Sequence, residues 1–265
     1  MNCANYRGIK LIAHTMKINE RLLDMRLRDT VEIASDQFRF VPERSTIDAI
    51  FIARQVMEKY REINKPCHLA FLDLEKRYDR LPCAVLSEMM RERGIPKCIV
   101  RTVQVMYDGL RARVRTLHKP TSKFDITVGV HQGSVLSPSL FIRTLDTVVK
   151  HLLEGPPFTV LYADDVALIA DSRAELQLKI QKWQSALADA FLKLNLRKTG
   201  IMSSLGGDDV VLDVFPQTKQ FQYLGSILSA DGTVDAAVRG RIACAWLKRR
   251  EATGILCDRK CSRVL

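Results

Sequence analysis

Residues 158–170 read Phe158-Thr159-Val160-Leu161-Tyr162-Ala163-Asp164-Asp165-Val166-Ala167-Leu168-Ile169-Ala170. Two apolar runs, Val160-Leu161-Tyr162 and Val166-Ala167-Leu168-Ile169, flank a pair of carboxylates. Runs of this length suit buried strands, and the short polar interruption predicts a tight β-hairpin with both carboxylates at its tip. Alone, an Asp-Asp pair between apolar runs is most often an ordinary turn. A second segment changes its weight. Cys67-His68-Leu69-Ala70-Phe71-Leu72-Asp73-Leu74 is another short apolar run reaching a carboxylate, and it also reads as a buried strand. If strand and hairpin pair in one sheet, Asp73, Asp164 and Asp165 converge.

Such a cluster is what nucleotidyl transfer needs. Two Mg2+ ions must be held a few ångströms apart, one lowering the pKa of an attacking 3′-hydroxyl and the other neutralising the triphosphate and the leaving pyrophosphate. Carboxylate oxygen is the ligand Mg2+ prefers.

Around these strands the chain mixes element types without regular βαβ repetition, which points to an α+β arrangement. Residues 9–33 read as helix. Ser45, with Asp48 three residues on, predicts a helix N-cap, and Ile47, Ile50, Phe51, Ala53, Met57 and Tyr60 follow at helical spacing until Pro66. Helices are predicted over 82–93 and 96–107, with Gly94 and Asp108-Gly109 as breaks. Residues 111–117 and 124–130 alternate as a strand pair. Helices follow over 138–153 and 174–194. Short strands are predicted near Ile201 and over 221–228, then a basic helix from Val234.

The chain carries 41 Lys+Arg against 30 Asp+Glu, a net charge of +11. From Arg239 onward there are eight basic and two acidic residues. That concentration suits contact with a phosphate backbone; a nuclear-import patch is the alternative. No stretch is long and apolar enough to span a membrane, and the first ten residues lack the apolar core of a secretory signal, so the expected site is intracellular. The seven cysteines, Cys3, Cys67, Cys83, Cys98, Cys244, Cys257 and Cys261, are irregularly spaced. They predict reduced thiols, not a disulfide framework or a zinc site.

Several of these segments together resemble reverse transcriptases. Tyr162-Ala163-Asp164-Asp165 is similar to the family's hallmark hairpin, and Phe71-Leu72-Asp73-Leu74-Glu75-Lys76-Arg77-Tyr78-Asp79-Arg80 to its first catalytic strand. His131-Gln132-Gly133-Ser134-Val135-Leu136-Ser137-Pro138 resembles the loop and helix start that shape the nucleotide pocket. Phe221-Gln222-Tyr223-Leu224-Gly225 resembles the primer-grip hairpin. Asn5-Tyr6-Arg7-Gly8-Ile9, Gln37-Phe38-Arg39-Phe40 and Arg44-Ser45-Thr46 resemble fingers motifs. The wording is most similar to non-LTR, LINE-type retrotransposons of the RTE clade.

The resemblance implies a right-hand polymerase palm, an antiparallel sheet backed by helices. It implies partial fingers over 1–66, a palm with inserted fingers strands over 67–215, and a primer grip and start of thumb over 216–265. It implies an RNA-directed DNA polymerase that uses an RNA template, a DNA primer, dNTPs and two Mg2+ ions, with Mn2+ as a substitute. Asp73, Asp164 and Asp165 would hold the metals, Tyr78 would select the sugar, and Gln132 and Gly133 would line the pocket. Arg44 would pair with triphosphate, Lys198 would protonate pyrophosphate, and Phe221, Tyr223 and Gly225 would steady the primer. Such proteins work in the cytoplasm and the nucleus. The family carries further sequence upstream and downstream, so the resemblance implies a chain cut short at both ends. Arg77 stands where the family has a small residue, and Arg39 and Glu43 where it commonly has glycine. These departures keep open an alternative, a catalytically inactive nucleic-acid-binding remnant.

Overall fold

The computed structural model describes residues 10–75, 81–115, 119–126, 128–131, 133–204 and 215–257. At its centre, strand β1 (His68–Asp73) lies between two antiparallel neighbours, β5 (Asp165–Ala170) and β6 (Gly200–Ser203). Strand β4 (Thr159–Tyr162) pairs with β5 and completes a four-stranded sheet in the order β4-β5-β1-β6.

Each strand divides its side chains between two cores. On β1, Ala70 and Leu72 join one cluster while Leu69 and Phe71 join the other. On β5, Val166 and Leu168 face the first and Ala167 and Ile169 the second. Both faces are therefore covered, which is why these strands read as continuous apolar runs and not as alternation.

The first core is closed by helices. They are α1 (His14–Thr30), α3 (Cys83–Glu92), α4 (Lys97–Tyr107), α5 (Leu136–Val149) and α6 (Arg173–Asp189), which contribute Leu27, Leu86, Val100, Leu140 and Trp183 among others. The second core is closed by α2 (Thr46–Glu62), through Ala49, Ile50, Ala53, Val56 and Met57, and by a hairpin of β7 (Gln220–Tyr223) and β8 (Ser226–Ser229). Helix α7 (Asp235–Leu256) follows that hairpin with most of its length exposed. Among the described residues no helix is long and apolar enough to cross a membrane.

Local chemistry explains the helix ends. Ser45 and Asp48 form a reciprocal capping box on α2. The Ser134 hydroxyl accepts from the backbone N–H groups of Leu136 and Ser137, and Glu20 from that of Val135, at the start of α5. Helix α6 stops at Asp189, short of the expected Leu194. Phe191 takes a left-handed φ of 59°, and the N–H groups of Phe191 and Leu192 turn back to Ala188 and Leu187. That is a Schellman closure with phenylalanine in the usual glycine position.

One other expectation needs correction. Among the described residues, the strand pair predicted over 111–117 and 124–130 is limited to β2 (Arg111–Ala112) and β3 (Phe124–Asp125). Val114, Phe124 and Val128 are exposed, so no core covers this ladder to extend it. On α2, Ile47 and Phe51 face solvent, and Ala49 and Val56 take the buried positions beside Ile50, Ala53 and Met57.

Candidate active site

The register of the sheet sets the geometry. Asp73, the last residue of β1, stands opposite Asp165, the first of β5. Tyr162 also pairs with Asp165, so the hairpin turn is Ala163-Asp164 alone, with Ala163 at a left-handed φ of 58°. The expectation of two carboxylates at the tip is thus half right: Asp164 is in the turn, and Asp165 already belongs to the strand. All three carboxylates nevertheless meet, with one oxygen from each lying within 4.8 Å of the others. Asp164 is buried, and Asp73 and Asp165 are half-buried.

The donor set consists of hard carboxylate oxygens. That fits a Mg2+-type ion, and three such groups this close favour a cation between them.

Asp73 has further partners. Its Oδ2 accepts from Asn195 Nδ2 at 3.2 Å and lies 3.7 Å from Lys198 Nζ. The Asn195 backbone N–H donates to the Asp73 carbonyl at 2.8 Å, and the Asn195 carbonyl accepts from Lys198 and Thr199 at 3.0 Å. The loop that carries Lys198 is therefore folded around Asn195, a residue that sequence reasoning passed over. The only signal for it was its place three residues before Lys198 in a polar loop.

The β7–β8 hairpin packs beside this cluster. Its turn, Leu224-Gly225, has φ values of 47° and 81°, both positive as a type I′ hairpin turn requires. The Phe221 ring stacks on Phe71 with centroids 4.5 Å apart, and Tyr223 tilts against the same ring at 5.0 Å. Burial raises the pKa of the Tyr223 hydroxyl, with the Asp165 charge adding to the shift. A cavity of about 420 Å3 is bounded by Asp73, Asp165, Lys198, Phe221 and Tyr223. A larger groove of about 770 Å3, lined by residues such as Met89, His151 and Lys182, contains none of the predicted site residues among its described lining.

Gly133 has a φ of 103°, a backbone that favours glycine. His131 packs on the Tyr107 ring at 4.9 Å, and burial, with Lys10 nearby, pushes its pKa down to about 4. Arg44 Nη1 donates to the carbonyls of Ser35 and Gln37, the latter at 2.7 Å, and its guanidinium lies 5.0 Å over the Phe38 ring. It straps its own loop. Glu43 does take a left-handed φ, 61°, as a family glycine would. Arg39 does not; its neighbour Phe40 does, at 60°. The Arg39 guanidinium lies 5.3 Å over Tyr162. Arg77, Tyr78 and Gln132 lie outside the described residues.

The family model described as "Reverse transcriptase (RNA-dependent DNA polymerase)" matches residues 2–228. The chain belongs to that family. Among its relatives, it is 27% identical over 253 residues to the "Retrovirus-related Pol polyprotein from type-2 retrotransposable element R2DM" of Drosophila melanogaster, covering 87% of this chain and 24% of the relative. It is 27% identical over 246 residues to the "Transposon TX1 uncharacterized 149 kDa protein" of Xenopus laevis, covering 86% of this chain and 19% of the relative. The chain thus spans about a quarter or less of these relatives' length. Both come from mobile elements, in keeping with the non-LTR resemblance. Among solved structures, telomerase from Candida tropicalis superposes with a TM-score of 0.58 at 17% identity, covering 83% of this chain and 44% of that one. That likeness supports the palm-type α+β fold.

Proposed function

We propose that this chain is the polymerase core of a retrotransposon reverse transcriptase. It extends a primer 3′-hydroxyl with deoxynucleoside triphosphates on an RNA template. The observation that carries this reading is the convergence of Asp73, Asp164 and Asp165 at one end of a sheet, in a chain of this family.

Asp73, Asp164 and Asp165 would hold two Mg2+ ions, which would supply Lewis-acid stabilisation of the 3′-oxygen and the phosphates. Lys198, whose Nζ lies 3.7 Å from Asp73 Oδ2, gives a proton to the leaving pyrophosphate in this reading. Phe221, Tyr223 and Gly225 form the wall that receives the primer end. Tyr78, Gln132 and Gly133 keep the sugar-selecting and pocket roles that the resemblance assigns them. Arg44 reaches triphosphate only by giving up bonds to its own loop. Exposed Arg239, Arg241, Lys248, Arg249 and Arg250 on α7 make sequence-independent phosphate contacts. Residues 1–66, 67–215 and 216–265 serve as partial fingers, palm, and primer grip with the start of a thumb. The chain works inside the cell, in the cytoplasm or nucleus.

Primer extension on a primed RNA template with dNTPs and Mg2+ tests this. Asp164→Asn is expected to lower incorporation by at least about a hundredfold, since several kcal/mol of charge stabilisation goes with it. Extension that survives this change refutes the metal assignment. Salt-sensitive RNA binding by the natural chain without any incorporation would instead establish the inactive remnant.

A further inference from the structure

Gln37 lies in the connection between α1 and α2 and is fully buried, at 0% exposure. The backbone on either side of it runs along the outer edge of β4. The Leu161 N–H donates to the Asp36 carbonyl and the Phe38 N–H to the Leu161 carbonyl, each at 2.8 Å, forming a parallel bridge between Gln37 and Leu161. This brings the Gln37 side chain against the turn that carries Asp164. Its Oε1 accepts from the Ala163 N–H at 2.9 Å and from the Arg39 N–H at 3.0 Å. Two backbone donors face that end of the amide, so oxygen must occupy it.

Two facts separate this bond from ordinary packing. Ala163 is fully buried and left-handed, a conformation disfavoured for an L residue, and its N–H requires an acceptor inside the protein. The other end of the Gln37 amide, Nε2, is buried with no hydrogen-bond partner among the described residues. Leaving a donor unpaired costs stability, and a methionine of similar volume would avoid that cost. Packing alone does not account for a glutamine here.

We infer that Gln37 is a positioning residue for the metal-binding turn. It holds Ala163 in its left-handed conformation and so fixes the backbone from which the Asp164 carboxylate projects. Arg44, bonded to the Gln37 carbonyl, holds the loop that delivers it. The inference rests on the polymerase reading of the carboxylate cluster.

The test uses the full chain, with Mn2+ alone as the probe and its binding read by electron paramagnetic resonance. Gln37→Met keeps the volume and removes the acceptor, while Gln37→Glu keeps an acceptor oxygen. Gln37→Met is expected to weaken Mn2+ binding about tenfold, the lower end of what outer partners of metal sites give, and to speed hydrogen exchange at the Ala163 amide. Gln37→Glu is expected to restore slow exchange there. Unchanged Mn2+ affinity in Gln37→Met overturns the inference, whatever the exchange at Ala163. Should Gln37→Met fail to fold, the natural chain decides. An Ala163 amide that exchanges as slowly as that of Ala167 in β5 supports the bond, and one as fast as exposed loop amides removes it. Asp73→Asn separates the two readings. Mn2+ binding that survives Asp73→Asn sinks the carboxylate site itself, and binding lost there but kept in Gln37→Met sinks the role of Gln37 alone.

Discussion

Asn195 grips Asp73 twice, through its backbone N–H and through its side-chain amide. The second bond orients the carboxylate oxygen that Lys198 also approaches. Outer partners of this kind typically change metal affinity by about 10–100-fold when removed. Asn195→Ala is therefore expected to raise the Mg2+ concentration for half-maximal extension about tenfold, with little change at saturating Mg2+. A Mg2+ titration of primer extension checks this, and an unchanged requirement would show that Asp73 is oriented without the amide. Asn195 was not legible as a functional residue in the sequence, and Gln37 was legible only as part of a segment that resembles a fingers motif, with no link to the carboxylates. Each acts by a side-chain hydrogen bond to a group more than a hundred positions away, and no local pattern of charge or hydropathy encodes such a bond. The carboxylates were legible because they stand at the ends of apolar runs, which is a local signal.

The β7–β8 hairpin depends on what β6 lacks. A Cβ at Gly200 would lie 2.8 Å from two carbons of the Phe221 ring, and that ring is already stacked on Phe71. Gly200→Ala must push Phe221 off its platform, a cost of about 1–3 kcal/mol for overpacking. The expected outcome is a lower midpoint in chemical denaturation together with weaker primer binding, since the hairpin borders the cavity beside Asp73. A variant with unchanged stability would mean that the hairpin floats free of the sheet. Sequence reading found this hairpin, the central strands and the capped helix α2, because each is announced within a few residues. Among the described residues, it overextended the 111–130 ladder and α6. In the first, alternation had no core behind it. In the second, Phe191 ends the helix by a left-handed backbone that favours glycine, so its identity gave no stop signal. The placement of the turn at Ala163-Asp164 was also hidden, because the pairing of Tyr162 with Asp165 follows from the sheet register and not from the Asp-Asp pair itself.

Two histidines tie the stability of the whole fold to pH. Burial lowers the pKa of both His68 and His131, and a nearby cation, Arg173 or Lys10, adds to each shift. In the unfolded chain each protonates near its ordinary value of about 6.5; folded, His131 resists until about pH 4. Between these values the unfolded state binds more protons, so stability rises with pH and is lost on acidification. Asp36, whose carboxyl burial raises, acts in the opposite sense near the ordinary carboxylate range. Melting temperature is expected to fall steadily from pH 6.5 toward pH 4, with a shallower slope in His131→Gln. An identical slope in that variant would assign the acid sensitivity elsewhere.

The sheet order also has a consequence for synthesis on the ribosome. Strand β1 is flanked by β5 and β6, and the first of these leaves the ribosome roughly a hundred residues later, about 5–20 s at ordinary translation speed. Throughout that interval an apolar strand bearing Asp73 stands without its native neighbours. A nascent chain of this protein is therefore a natural client for chaperones that shield apolar segments. Its yield in a host should respond to translation rate and chaperone supply more than to the final stability of the fold.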